Sequence, residues 1–330
     1  MKRFILQILV WIGIPICLLI GLYVALDPYR IVFPYSISYF IEKPLSKTNR
    51  EYLSIKLFED NLQRRSYDSF IIGSSRTGAF NSYQWKKYLE VDNNPYIFTS
   101  WRENIQGIYQ KIMYLDNANV DINNVLLLFD CGEQYTFNIS NGEAPLTNHY
   151  YKLSNQTVLG YQIDYFKAFI SKPSKLHTYI QNAKEKNKVL TFDTITNDSH
   201  LCNDTITVCP KSNMLINRTD WEIRTPEQML SSLINNEMEL MLSEIYQVLK
   251  KHNTNYKIII CPNYFRWKIS DNDFLILTNI FGEQNLFNYS GDHPIASENC
   301  HYNDIEHFNS NVAWRIIEDI YGDTNKKNIN

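Results

Sequence analysis

The chain has 330 residues, a formal net charge of -3 and 44% hydrophobic residues. That length suffices for one large domain with a real core or for two small ones, and the near-neutral balance excludes the basic stripe of a nucleic-acid-binding protein. With 23 Tyr and 17 Phe against 11 Gly and 11 Pro, the composition also excludes a disordered chain.

Met1-Lys2-Arg3 is basic, and residues 4–26 are apolar apart from Gln7. About 20 apolar residues cross a bilayer as a helix, and the run exceeds the roughly 7–15 residues of a signal-peptide core. No Ala-x-Ala site closes it, and Cys17 lacks the setting of a lipoprotein cleavage site. The run reads as an uncleaved signal anchor, one transmembrane helix within residues 1–26. Lys2 and Arg3 then hold the N-terminus in the cytoplasm, leaving the rest outside the cytoplasmic membrane. A cleaved signal peptide is the alternative. Residues 27–66 read as a juxtamembrane stalk. Within it, Tyr52, Ile55, Phe58 and Leu62 predict a helix over 48–65 that packs on the domain beyond.

Phe70-Ile71-Ile72 is a short apolar run, right for a buried central strand. Asn81 or Ser82 caps a helix over 82–89. Pro95-Tyr96-Ile97-Phe98 reads as a second strand, Ile105 to Met113 as a helix, and Asn124 to Cys131 as a third strand. Residues 133–224 read as an insertion over the strand ends, where a substrate lid or partner surface would sit. Within it Cys202 and Cys209 are a disulfide candidate if the domain is extracytoplasmic. Cys261–Cys300 is a second pairing. No Cys-x-x-Cys or His-x-x-x-His spacing points to zinc, so neither metal nor cofactor is expected.

Thr225-Pro226-Glu227-Gln228 reads as a helix start with a Thr cap and Pro at the first position. Tyr256 to Pro262 is a fourth strand, 272–282 a helix and Asn285 to Tyr289 a fifth strand. The last helix carries Val312, Ala313, Ile316, Ile317 and Ile320, stops at Gly322 and leaves a disordered polar tail over 323–330. Strands alternating with helices predict an α/β domain over 67–322. Its parallel sheet of about five strands is covered on both faces, giving a three-layer αβα architecture.

Two stretches carry chemistry. Gly73-Ser74-Ser75-Arg76 follows the first strand, and ligands of parallel sheets bind outside the carboxyl ends of strands. Ser75 is thus placed to be a nucleophile, with its own N–H directed at a developing oxyanion. Some 230 residues on, Asp304 precedes His307 by three positions, a spacing that shares one face of a helical turn. Asp304 can then orient the imidazole while the other ring nitrogen faces Ser75. No other histidine has a carboxylate at a matching spacing, though His293 and His301 are close enough in sequence to line the cleft.

Gly73-Ser74-Ser75 after a first strand and Asp304-x-x-His307 before a last helix resemble blocks I and V of the SGNH/GDSL hydrolases. The similarity is greatest to the membrane-anchored, extracytoplasmic, DltD-like branch, whose members act with cell-envelope O-acyltransferases and often write the first block Gly-Ser-Ser-Arg. It covers roughly residues 65–135 and 225–322. The resemblance implies a flavodoxin-like αβα sheet and a Ser75 acyl-enzyme with His307 as base and Asp304 as orienter. It implies acyl esters, acetyl among them, of an envelope polysaccharide or glycolipid as substrate. The bilayer and a membrane-bound O-acyltransferase are the implied partners. Ser100 stands where the second block offers a glycine N–H to the oxyanion. Asp130-Cys131-Gly132-Glu133 stands where the third block has Gly-x-Asn, and an ionised aspartate cannot donate. Arg76 is a candidate contact for an anionic substrate, with a structural ion pair as the alternative. Two rival functions stay open: a catalytically weak binding or assembly component of an envelope polysaccharide complex, and a glycosyltransferase with a metal at Asp271-Asn272-Asp273.

Overall fold

A computed structural model describes residues 9–42, 49–132, 151–154, 156–171, 173–178, 190–201 and 224–325, with residues 3, 7, 136, 137 and 180 besides. Five parallel strands form the central sheet: β1 (Ser69–Gly73), β2 (Pro95–Thr99), β3 (Asn124–Phe129), β4 (Asn255–Ile260) and β5 (Leu286–Asn288). Their order across the sheet is β2-β1-β3-β4-β5. This is the flavodoxin-like order, whose switch point, between β1 and β3, opens a crevice at the strands' carboxyl ends.

Strand periodicity sorts the core into two layers. Phe70, Ile72, Tyr96, Phe98, Val125, Leu127 and Ile258 point to one face, and Ile71, Ile97, Leu126, Leu128 and Ile259 to the other. The helices in chain order are α1 (Ile14–Leu26), α2 (Ile37–Glu42), α3 (Arg50–Leu62), α4 (Ser82–Lys86), α5 (Ile105–Asn117), α6 (Val158–Ser171), α7 (Asn236–Lys251), α8 (Asp271–Phe281) and α9 (Ser310–Asn325). Helices α3, α5 and α7 cover the first face through Leu53, Phe58, Ile108, Ile112, Leu242 and Ile245. Helices α4 and α9 cover the second through Trp85, Val312, Ile316 and Ile317. The predicted α/β class, five-strand parallel sheet and helix-covered faces are all present. So is the helix expected over 48–65, which lies against β2.

Among the described residues no helix is long and apolar enough to cross a membrane. The apolar run holds a π-helical turn at Leu9–Gly13 that leads directly into α1, whose second residue is Pro15. Proline has no N–H to donate to the preceding turn, which suits the change of helical pattern just before it. Helix α1 docks on α6, where Tyr23 meets Phe166 and Phe169 at 5.5 Å.

Thr225 does not cap a helix. Its hydroxyl donates to the Phe265 carbonyl, and Gln228–Met229 pairs in parallel with Trp267–Lys268. Helix α7 starts eleven residues later, at Asn236, where the Asn235 side chain accepts the Met238 N–H at 3.0 Å. The tertiary strand pairing outweighs a sound local capping signal. The expected stop at Gly322 also fails, because α9 continues to Asn325, and a helical glycine costs only about 1 kcal/mol. Part of the expected insertion lies elsewhere than over the strand ends. The turn 193–198 lies along the edge of β2, where the Thr196 carbonyl accepts the Ile97 N–H and Asn197 donates to the Ile97 carbonyl.

Candidate active site

Strand β1 ends at Gly73 because the backbone there must pass close to β3. A Cβ on Gly73 would stand 2.8 Å from the Leu128 Cβ and 3.1 Å from its carbonyl oxygen. Ser74 then caps a short 3-10 turn, Ser75–Ala79, accepting the Arg76 N–H at 3.2 Å. Its carbonyl is bound by the Thr77 N–H and hydroxyl and by the Thr99 hydroxyl. This fixed turn leaves Ser75 half-buried at the carboxyl end of the sheet. Gly73→Ala is expected to push β1 from β3 and to cost about 1–3 kcal/mol, measured by urea unfolding.

The segment 303–307 is a loop rather than the helical turn expected from the spacing. An antiparallel bridge between Tyr302 and Phe308 closes it, with the Asn303 N–H donating to the His307 carbonyl at 2.8 Å. Inside it, Asp304 Oδ1 accepts the N–H groups of Glu306 and His307, each at 2.8 Å. An aspartate bonding its own following backbone is the ordinary device of such turns.

The three predicted residues meet. Ser75 Oγ lies 2.8 Å from His307 Nε2, and His307 Nδ1 lies 2.9 Å from both carboxylate oxygens of Asp304. An ionised carboxylate only accepts, so the ring proton belongs on Nδ1, leaving Nε2 as acceptor for the Ser75 hydroxyl. Burial pushes the Asp304 pKa up, but the His307 ring and the two backbone N–H groups outweigh it and hold the carboxyl below its ordinary value. A hydroxyl, an imidazole and a carboxylate thus stand in hydrogen-bond reach, the set of groups that an activated nucleophile requires.

Two other predicted site residues are committed to the fold. The Ser100 N–H donates to the Gly73 carbonyl at 3.3 Å, so it is not a free oxyanion donor. Its hydroxyl belongs to a buried charge cluster, accepting from Lys111 Nζ at 2.9 Å. Lys111, fully buried, also binds Glu51 at 2.7 Å and contacts Glu103. Burial lowers the Lys111 pKa, and the two carboxylates more than offset this and raise it. Arg76 is corrected from an open substrate contact to a buried ion pair: its Nη1 lies 3.0 Å from Asp130 Oδ1, and its Nε donates to the Glu306 carbonyl at 2.9 Å. Asp130, at the end of β3, faces this guanidinium and offers no donor to an oxyanion.

His293 and His301 serve as backbone acceptors, for the Ile295 and Glu298 N–H groups, and do not approach Ser75 as a second base. Asp273, invoked for a metal, is buried and accepts from the Ser232 hydroxyl and the Leu233 and Ile234 N–H groups. Among the described residues no cluster of His, Cys, Asp or Glu is arranged to hold a metal ion. Cys202 and Cys209 lie outside the described residues. Cys300 is disulfide-bonded and Cys261 is free, which removes the Cys261–Cys300 pairing.

Sequence reasoning missed the Lys111 cluster and the partnership of Arg76 with Asp130. An aspartate ending an otherwise apolar strand was the available signal for the second. No signal marked the first, since a lysine at position 111 reads as the solvent side of a helix. No family model matches the chain, and no curated protein matches it.

Proposed function

We propose that the protein is a serine acyl transferase or esterase of the SGNH type. The observation that carries the reading is the continuous relay of Ser75, His307 and Asp304, at 2.8 and 2.9 Å. In this mechanism His307 Nε2 takes the Ser75 proton as Oγ attacks an ester carbonyl. The tetrahedral intermediate collapses to an acyl-enzyme as the alcohol leaves with that proton. Asp304 stabilises the imidazolium and keeps the ring oriented. The Ser75 N–H is the backbone donor offered to the oxyanion. Water as acceptor makes the reaction hydrolysis, and a sugar hydroxyl makes it transfer.

The envelope setting rests on the sequence resemblance and on the N-terminal segment. Its side chains are outward-facing and apolar, with Trp11 78% and Leu18 69% exposed, beyond what a soluble surface carries. Tyr35 and Tyr39, stacked at 4.2 Å with Arg30 over the second ring, suit the interface just past such an anchor. We therefore take the substrate to be an acyl ester of a cell-envelope polysaccharide or glycolipid, handled beside a membrane O-acyltransferase. Deleting residues 1–20, which spares the Tyr23 contacts with α6, is expected to move the protein from the membrane fraction to the soluble one. Retention in the membrane fraction would count against an anchor in that segment.

A second reading, a binding or assembly component, is favoured by one observation: Ser100 and Asp130, at the positions of two family oxyanion donors, are both engaged otherwise. Treatment of the detergent-solubilised full-length chain with a fluorophosphonate, followed by intact mass, separates the two. A single adduct at Ser75 supports the enzyme, and a folded chain with no adduct supports the binding component.

A further inference from the structure

We infer that Arg76 is a positioning residue, which holds the peptide plane ahead of His307 and so sets the base against Ser75; this deepens the acyl-transfer reading and rests on it. The carbonyl of Glu306 and the N–H of His307 belong to one peptide unit, which is planar. Arg76 Nε holds the carbonyl end at 2.9 Å, and Asp304 Oδ1 holds the N–H end at 2.8 Å. Both ends of the plane are pinned, so the backbone that carries the imidazole cannot swing about its neighbouring torsions.

The pin is itself held from behind. Arg76 is 6% exposed and Asp130 fully buried, and their 3.0 Å ion pair keeps the guanidinium in place. Asp130 is anchored in turn, its N–H donating to the Thr136 hydroxyl at 2.8 Å and its carbonyl accepting the Thr136 N–H at 3.1 Å. A single side chain therefore ties three separate segments: the nucleophile turn, which it belongs to, the end of β3, and the base loop 230 residues away. Arginine suits this task because its planar fork presents Nε–H and Nη–H in fixed, divergent directions. A lysine ammonium at the same position keeps the charge against Asp130 but gathers its donors on one nitrogen, so the two fixed directions that meet Asp130 and the Glu306 carbonyl separately are lost.

The test compares full-length wild type with Arg76→Lys and Arg76→Gln. Arg76→Lys keeps a cation against Asp130 and so guards against simple unfolding. Two readouts are taken: the rate of Ser75 phosphonylation across pH, and the low-field ring N–H signal of His307 in histidine-labelled protein, assigned with His307→Gln. Arg76→Lys is expected to slow phosphonylation about 100-fold, the scale of a misplaced reacting group, and to weaken or remove the His307 signal. A wild-type rate and signal in Arg76→Lys would overturn the inference while leaving the acyl-transfer reading intact. A slowed rate with an unchanged His307 signal would also overturn it, since the effect would not pass through the base. Loss of the signal in Arg76→Lys, in a chain whose wild type never labels, would uphold the positioning role and sink the acyl-transfer reading alone.

Discussion

Ser75→Ala is expected to abolish fluorophosphonate labelling outright, and His307→Gln to slow it by at least about 1,000-fold, with Asp304→Asn costing about 1,000- to 10,000-fold. The first removes the hydroxyl that lies against His307 Nε2. The second removes its proton acceptor. In the third, the amide no longer fixes the proton on Nδ1, and the imidazolium formed during attack loses its counter-charge. These losses are not additive, since the three groups act as one unit, so a double variant is expected to be little worse than the weaker single one. The His307 ring and two backbone N–H groups hold the Asp304 carboxyl below its ordinary pKa. That depression has a sign for stability. A carboxyl held lower in the folded than in the unfolded state contributes above the unfolded pKa, about 3.9, and its contribution fades as pH falls through the folded value. Asp304→Asn should therefore flatten that part of the acid-unfolding curve. Single labelling of wild type that persists in Ser75→Ala would end the assignment of the nucleophile.

Lys111→Met is expected to cost about 3–5 kcal/mol of stability at neutral pH, the scale for breaking a buried ion pair by removing one partner. The methionine fills most of the volume, so the loss comes from charge: Glu51 and Glu103 are both buried and both lose their contact with the ammonium. In the variant those carboxyls are held above their unfolded pKa values, which makes the penalty greatest at pH 7. It should shrink as the pH is lowered and the carboxyls protonate in both states. Urea midpoints of wild type and variant at pH 7 and pH 5 test this. A deficit independent of pH would show that packing, not charge, dominates the site. Because Ser100 shares the cluster and its N–H is bound to Gly73, the same variant should also slow Ser75 labelling.

Much of the architecture was legible because strands buried on both faces announce themselves as apolar runs. Phe70-Ile71-Ile72 and Val125 to Phe129 needed no partner to be recognised. Helices α3, α5 and α9 were equally plain from their periodic faces. The Thr225 helix start was misread for a different reason. A capping box is local, and the parallel pairing of Gln228–Met229 with Trp267–Lys268 is supplied by residues nearly 40 positions away. The Asp304–His307 spacing led to a correct pairing by way of the wrong local geometry. Three residues suffice to bring the two side chains together in a helical turn, and the Asx-type loop found here does so as well.

By itself the sequence determined the class of fold, the strand that delivers Ser75 and the pairing of Asp304 with His307, since these depend on short-range periodicity and on side-chain chemistry. Only the tertiary structure decided what the intervening polar groups do. Ser100 donates its N–H to Gly73, Lys111 turns inward between Glu51 and Glu103, and Arg76 reaches Asp130 and Glu306 instead of open solvent. The physical reason is that a buried charge is tolerated only where partners converge on it, and those partners come from strands and loops whose meeting no local pattern records.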